Sequence, residues 1–139
     1  MKKCLNFSIF YAILGLAGGV FYREFTKFNE FSGASALGKV HTHLLLLGMF
    51  LFLILSLFAA RFDVEKLKSW RVFLWMYNIG LIVSAVMMCT RGIVQVKEIV
   101  LSRAADASIA GIAGIGHALV GIGLLILLFG LKKLAGRKQ

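Results

Sequence analysis

Four apolar runs separated by short charged or polar breaks dominate the chain. They cover about residues 5–22, 36–60, 70–91 and 108–131, and the second contains an uncharged stretch from Leu44 to Ala60. A helix of about 20 apolar residues, rising 1.5 Å per residue, crosses a hydrocarbon layer, so each run predicts a transmembrane span. Small and polar positions recur inside the runs at helical spacing. Ser8, Tyr11, Gly15, Gly18 and Tyr22 share one face of the first, and Tyr77, Gly80, Ser84, Met87 and Arg91 mark a face of the third. Gly15 and Gly19 form a Gly-x-x-x-Gly pair, the spacing that lets a second helix approach closely. The expected fold is all-α: one integral membrane domain over residues 1–139, a four-transmembrane-helix bundle.

The breaks are equally readable. Thr26 to Ser35 is polar with interspersed Phe and predicts a loop, with Ser35 as N-cap of the second helix. Arg61 to Arg71 predicts a short charged loop. Gly92 to Ala107 alternates apolar and charged residues, which suits either an extension of the third helix or an interfacial segment. Lys2-Lys3 before an apolar run has the form of a signal-peptide start. Arg23-Glu24 follow the run where a cleavage site needs small residues, so a retained helix is expected.

Composition agrees with the pattern. The chain has 139 residues, is 60% hydrophobic and contains no Pro. A soluble domain of that size has too little interior to hide four such runs. The net charge of +10 sits in tails and loops, where basic residues set topology and meet anionic lipid, so nucleic acid is excluded as a partner. With four spans, ten basic residues fall on the side of the tails (Lys2, Lys3, Arg61, Lys66, Lys68, Arg71, Lys132, Lys133, Arg137 and Lys138) against six on the other (Arg23, Lys27, Lys39, Arg91, Lys97 and Arg103). This bias places both termini in the cytoplasm.

That topology gathers the polar chemistry. Tyr22, Arg23, Glu24, His41, His43, Arg91 and His117 all fall in the outer half. Imidazoles inside membrane runs are costly and mark a functional site. Facing helices of a bundle hold haem iron between two neutral imidazoles, and His41 with His117 is the expected axial pair. Arg23 and Arg91 are the candidates for the propionates. Gly114 and Gly121 flank His117 with a smooth surface suited to the flat face of a macrocycle. His43 lies about 200° round a regular helix from His41, so it serves as a neighbouring support or as the replacement ligand. A bare copper or zinc site on the three histidines is the alternative. Cys4 and Cys89 have no metal-ligand spacing, and neither a Ser-His-Asp set nor a Gly-rich phosphate loop is present.

Val40-His41-Thr42-His43-Leu44-Leu45 resembles the His-Thr-Asn-Leu-Leu segment on the second helix of subunit I in nitric oxide reductases and related haem–copper oxidases. There the first His is an axial ligand of the low-spin haem b, and it maps onto His41. Position 43 is His where the reductases have Asn, and the His pairs of the oxidase copper site are absent. His-x-His followed by apolar residues and Gly48 also resembles NnrS-type haem–copper membrane proteins. Taken whole, including Phe21-Tyr-Arg-Glu24 and Gly111-Ile-Ala-Gly-Ile-Gly-His117, the chain resembles a family of small four-helix bacterial membrane proteins without an assigned function. These resemblances imply haem b, a place in the bacterial cytoplasmic membrane, and electron transfer or binding of a diatomic gas. The pseudo-threefold arcs of the oxidase subunit imply a homotrimer. The alternatives are a copper-binding or metal-free accessory protein for oxidase assembly or transport, and a quinone-interacting protein using Tyr11, Tyr22 and Arg23.

Overall fold

The computed structural model describes residues 1–136 of the chain. Arg137 and Lys138, counted above in the charge bias, lie outside the described residues. Four helices are long and apolar enough to cross a membrane: α1 (Lys2–Phe28), α2 (Leu37–Arg61), α3 (Trp70–Val96) and α4 (Arg103–Ala135). No strand occurs among the described residues. The helices form an open arc. α2 packs on both α1 and α3, whereas α4 packs almost entirely on α3.

Met1 and the last turns of α4 lie at one end. The Met1 amino group bonds Glu65 at 3.0 Å, in the loop between α2 and α3, and Lys133 of α4 shares a cleft with that loop. At the opposite end Gln95 of α3 accepts the Ala36 N–H at 2.7 Å, and Arg91 of α3 pairs with Asp106 of α4 at 2.8 Å.

The helices run past the expected ends. α1 continues to Phe28 because Arg23, Glu24 and Thr26 leave the apolar layer without breaking the helix, and Thr26 Oγ1 donates to the Tyr22 carbonyl at 2.8 Å. α1 and α3 then close alike, each with a glutamate in the left-handed region: Glu30 at φ 49° and Glu98 at φ 51°. Phe31 N–H reaches back to the Thr26 carbonyl and Ile99 N–H to that of Val94, the bonding of a Schellman stop. Ser35 is not the cap of α2. The capping position is Ala36, and the buried Ser35 hydroxyl has no partner among the described residues. The segment 92–107 divides: α3 takes it as far as Val96, and α4 begins at Arg103 with Ser102 capping the Ala105 N–H.

The centre of α2 departs from a regular helix. Leu44–Phe50 is a π turn, which shifts the register of the chain after His43 and leaves carbonyls short of their usual partners. Water cannot supply those bonds within hydrocarbon, so protein must. Tyr77 of α3 donates to the Leu47 carbonyl at 2.8 Å, and Ser8 of α1 donates to that of Met49 at 3.0 Å. Tyr11 packs on Gly48 within the π turn, where a Cβ would run into its ring, and donates to Asn78 Oδ1 at 2.6 Å. Phe52 stacks on both Phe7 and Tyr11 and completes this buried layer.

α3 and α4 meet through small residues. A Cβ on Gly116 would stand 2.6 Å from Ser84 Oγ and 2.9 Å from its backbone nitrogen, and Gly80 would meet the Gly116 carbonyl at 2.8 Å. Gly116, Gly123 and Gly130 are buried at seven-residue spacing, one seam along α4. The face with Gly111, Gly114 and Gly121 points away and has nothing near it. In a membrane, where apolar side chains gain little from leaving lipid, such close contact supplies much of helix association. Gly116→Ala is therefore expected to destabilise the folded state by about 1–3 kcal/mol, and Gly114→Ala to change it by less than about 0.5 kcal/mol or raise it. Denaturing-detergent titration of both variants checks this; equal effects would contradict the packing.

Candidate functional site

The three histidines occupy the end of the arc distant from the termini, on two sides of α2. His41 faces α1. Its ring lies against Gly19, where a Cβ would be 3.7 Å from the imidazole, and stacks near-parallel on Tyr22 with 6.3 Å between centroids. Its Nδ1 is buried with no hydrogen-bond partner among the described residues. Gly38, one turn earlier on α2, leaves room for the Tyr22 ring, which would lie 3.2 Å from a Cβ there.

His43 faces α4. Its ring stands 6.0 Å from that of His117, with the planes at 85°. The imidazole that meets His117 within the chain is therefore that of His43, and the expected His41–His117 facing pair is replaced by it. The reason is the arc. α2 lies between α1 and α3, so residues two apart on it turn toward opposite neighbours, and only the His43 side leads to α4. The three imidazoles consequently do not form one cluster, and no group of three or more His, Cys, Asp or Glu is placed to hold a metal ion among the described residues.

The hydrogen bonds of the pair define its chemistry. His43 Nδ1 lies 2.9 Å from the Lys39 carbonyl and His117 Nδ1 lies 2.8 Å from the Ala113 carbonyl, each one turn back on its own helix. A carbonyl only accepts, so each Nδ1 carries a proton, and in the neutral ring the lone pair is then on Nε2. Metal-bound histidines are commonly oriented in this way, one nitrogen donating to a backbone carbonyl and the other ligating. The separation also matters. Two imidazoles on opposite sides of one metal, at bonds of about 2.0 Å, have ring centroids roughly 6 Å apart. Around His117 the surface of α4 is bare. Gly114 and Gly121 have no neighbour within 4 Å of a Cβ position, and His117 itself is exposed.

The other expected site residues are placed as follows. Arg91 stands at the outer end but is held by Asp106, through its carboxylate at 2.8 Å and its carbonyl at 3.3 Å. Arg23 projects outward, 3.8 Å from Glu24, with its side chain 81% exposed. Tyr11 is not part of this site. It lies eleven residues before Tyr22, about 16 Å along α1, in the layer around the π turn. One small quinone headgroup cannot touch Tyr11 and Tyr22 together. Ser8 and Tyr77, marked in the sequence only as members of helix faces, hold the segment following His43; their setting beside Gly15 and Gly80 in apolar runs was the signal for that role.

Residues 1–134 match the family described as protein of unknown function DUF2871. The chain belongs to this family. No curated protein and no solved structure matches the chain. Membership accounts for the whole-chain resemblance, and the family's description assigns no activity.

If the bonding of the pair is as described, nitrogen NMR of histidine-labelled protein in bilayers, with no metal added and both rings neutral, gives a protonated Nδ1 and an unprotonated Nε2 for both His43 and His117. A protonated Nε2 on either ring would contradict it.

Proposed function

We propose that this membrane protein binds haem b in the half of the arc distant from its termini, with His43 and His117 as the axial ligands, and serves electron transfer or the binding of a diatomic gas. The observation that carries this reading is the imidazole pair itself: two rings 6.0 Å apart, each with Nδ1 committed to a backbone carbonyl and Nε2 free. The donor set suits haem iron, which takes neutral imidazole on both faces. The bare Gly114 and Gly121 surface beside His117 suits a flat macrocycle, which a larger side chain there would obstruct. Bound haem would supply one-electron chemistry or a site for a gas ligand.

The chain's own residues have definable parts in this. The Lys39 and Ala113 carbonyls hold the two rings by their Nδ1–H groups and leave each Nε2 directed away from its own helix backbone. Of the two propionate candidates, Arg91 stands on the α4 side, where it is engaged by Asp106, and Arg23 stands on α1, across α2 from the pair. His41 and Tyr22 lie on the far side of α2 and support the helix that carries His43. The exposed small-residue face of α4 offers a second copy a close approach, which keeps the homotrimer as the proposed assembly. The oxidase-like segment at Val40–Leu45 would place the ligand at His41; the proposal departs from it in using His43. Placement in the bacterial cytoplasmic membrane with cytoplasmic termini follows the basic-residue bias.

A second reading rests on the same pair. With two imidazoles and no third His, Cys, Asp or Glu grouped with them among the described residues, a copper ion is the other metal the donors suit, which would make the protein a copper-binding accessory factor.

Visible spectra of the purified protein, oxidised and dithionite-reduced, test the proposal. Wild type is expected to show a Soret band with sharp reduced α and β bands. His43→Ala and His117→Ala each lose the low-spin spectrum, while His41→Ala retains most of it. A colourless wild type after expression with added haem would overturn the haem reading. Loss in the His41 variant with retention in the His43 variant would overturn the ligand assignment.

A further inference from the structure

A second site lies at the opposite end, where the loop between α2 and α3 meets the last turns of α4. A cleft of about 540 Å³ opens there, lined by Lys66, Lys68, Ser69, Gly130, Lys133 and Leu134 among others. Its charge is basic on balance. Asp63 also lines it, but its carboxylate is held by Lys66 at 2.8 Å, and it keeps that ammonium above the ordinary lysine value. Lys68 and Lys133 make no ion pair among the described residues.

The rest of the lining complements an anion. α3 begins at Trp70, and Ser69, its N-cap residue, makes no side-chain capping bond. The positive end of the helix and a free hydroxyl therefore adjoin the lysines. Gly130 is needed for the shape, since a Cβ there would stand 3.1 Å from Ser69 Oγ and 3.2 Å from Leu67. The cleft also sits at one depth. On α4 the apolar run ends at Leu131 and Lys132-Lys133 begin, so the lysines stand where a bilayer has its phosphates, and Leu67, against Gly130, stands where its acyl chains start.

We propose that this cleft is a binding site for the phosphate of an anionic phospholipid, with Lys68 and Lys133 as the principal contacts, Ser69 as a hydroxyl donor, and the acyl chains leaving along Leu67 and Gly130, on the apolar side of the lysines. Charge and depth select the ligand together. A soluble acidic partner would need the lysines alone, whereas the apolar side of the cleft is matched only by a lipid. Basic pockets between transmembrane helices at a membrane face hold anionic headgroups in this manner. The site is independent of the histidine pair.

Native mass spectrometry of the full chain, released from micelles containing equal amounts of phosphatidylglycerol and phosphatidylcholine, tests this. Wild type is expected to retain phosphatidylglycerol in preference. One lysine near a membrane surface is worth about a fivefold change in binding, so the Lys68→Gln/Lys133→Gln double variant should weaken retention roughly 25-fold, and each single variant about fivefold. Lys68→Arg/Lys133→Arg keeps the charge and should keep the lipid. Lys2→Gln/Lys3→Gln, at the same end but outside the cleft, should also keep it. The proposal is overturned if the Gln double variant retains lipid as wild type does, or if the Lys2/Lys3 variant loses it equally. Displacement of phosphatidylglycerol by inorganic phosphate at equal concentration would make the ligand a free phosphate and overturn the lipid assignment.

Discussion

The π turn in the middle of α2 is the constraint on which the arrangement depends. Inside hydrocarbon a carbonyl without a partner costs several kcal/mol, and no solvent is there to relieve it. Tyr77 and Ser8 provide the missing donors from the helices on either side. Individual hydrogen bonds between membrane helices contribute only about 0.6 kcal/mol on average, but leaving these carbonyls bare would cost far more. The π turn is thus tied by side-chain hydrogen bonds to both α1 and α3. The three helices fix one another in depth and rotation, and the rotation of α2 decides where His41 and His43 point.

α4 is attached differently. Its seam of Gly116, Gly123 and Gly130 lies directly on Ser84, Tyr77 and Ser69 of α3, so it is positioned by close backbone approach. It touches the other helices hardly at all. This leaves one flank of α4 uncovered, and that flank carries His117. One polar side chain exposed on a membrane helix calls for a partner. Among the described residues the ring beside it is that of His43, itself at the edge of the arc.

Much of this was legible in the sequence, and the losses have physical causes. Four spans and the gathering of the histidines at one end followed from apolar run length and antiparallel order. The helix ends were misjudged because Glu30 and Glu98 occupy left-handed positions where glycine is the usual signal, and because helices project beyond the apolar layer into water. The π turn leaves no trace in hydropathy, since shifting hydrogen bonds by one residue changes no side chain. The glycines of α4 were noticed on the face that carries His117, while the packed seam of Gly116, Gly123 and Gly130 went unread although its seven-residue spacing was there. The opposite facing of His41 and His43 was readable from helical geometry. Which of them meets His117 depends on the order of helices in the arc, which no local pattern encodes.

Electron paramagnetic resonance of the oxidised protein as purified tests the central claim, that the His43–His117 pair holds haem iron. Two histidine imidazoles on ferric haem iron would give a low-spin signal. That signal, lost on His43→Ala, is the predicted result. A tetragonal copper(II) signal would contradict the account, as would a high-spin haem signal unaffected by the His43 substitution.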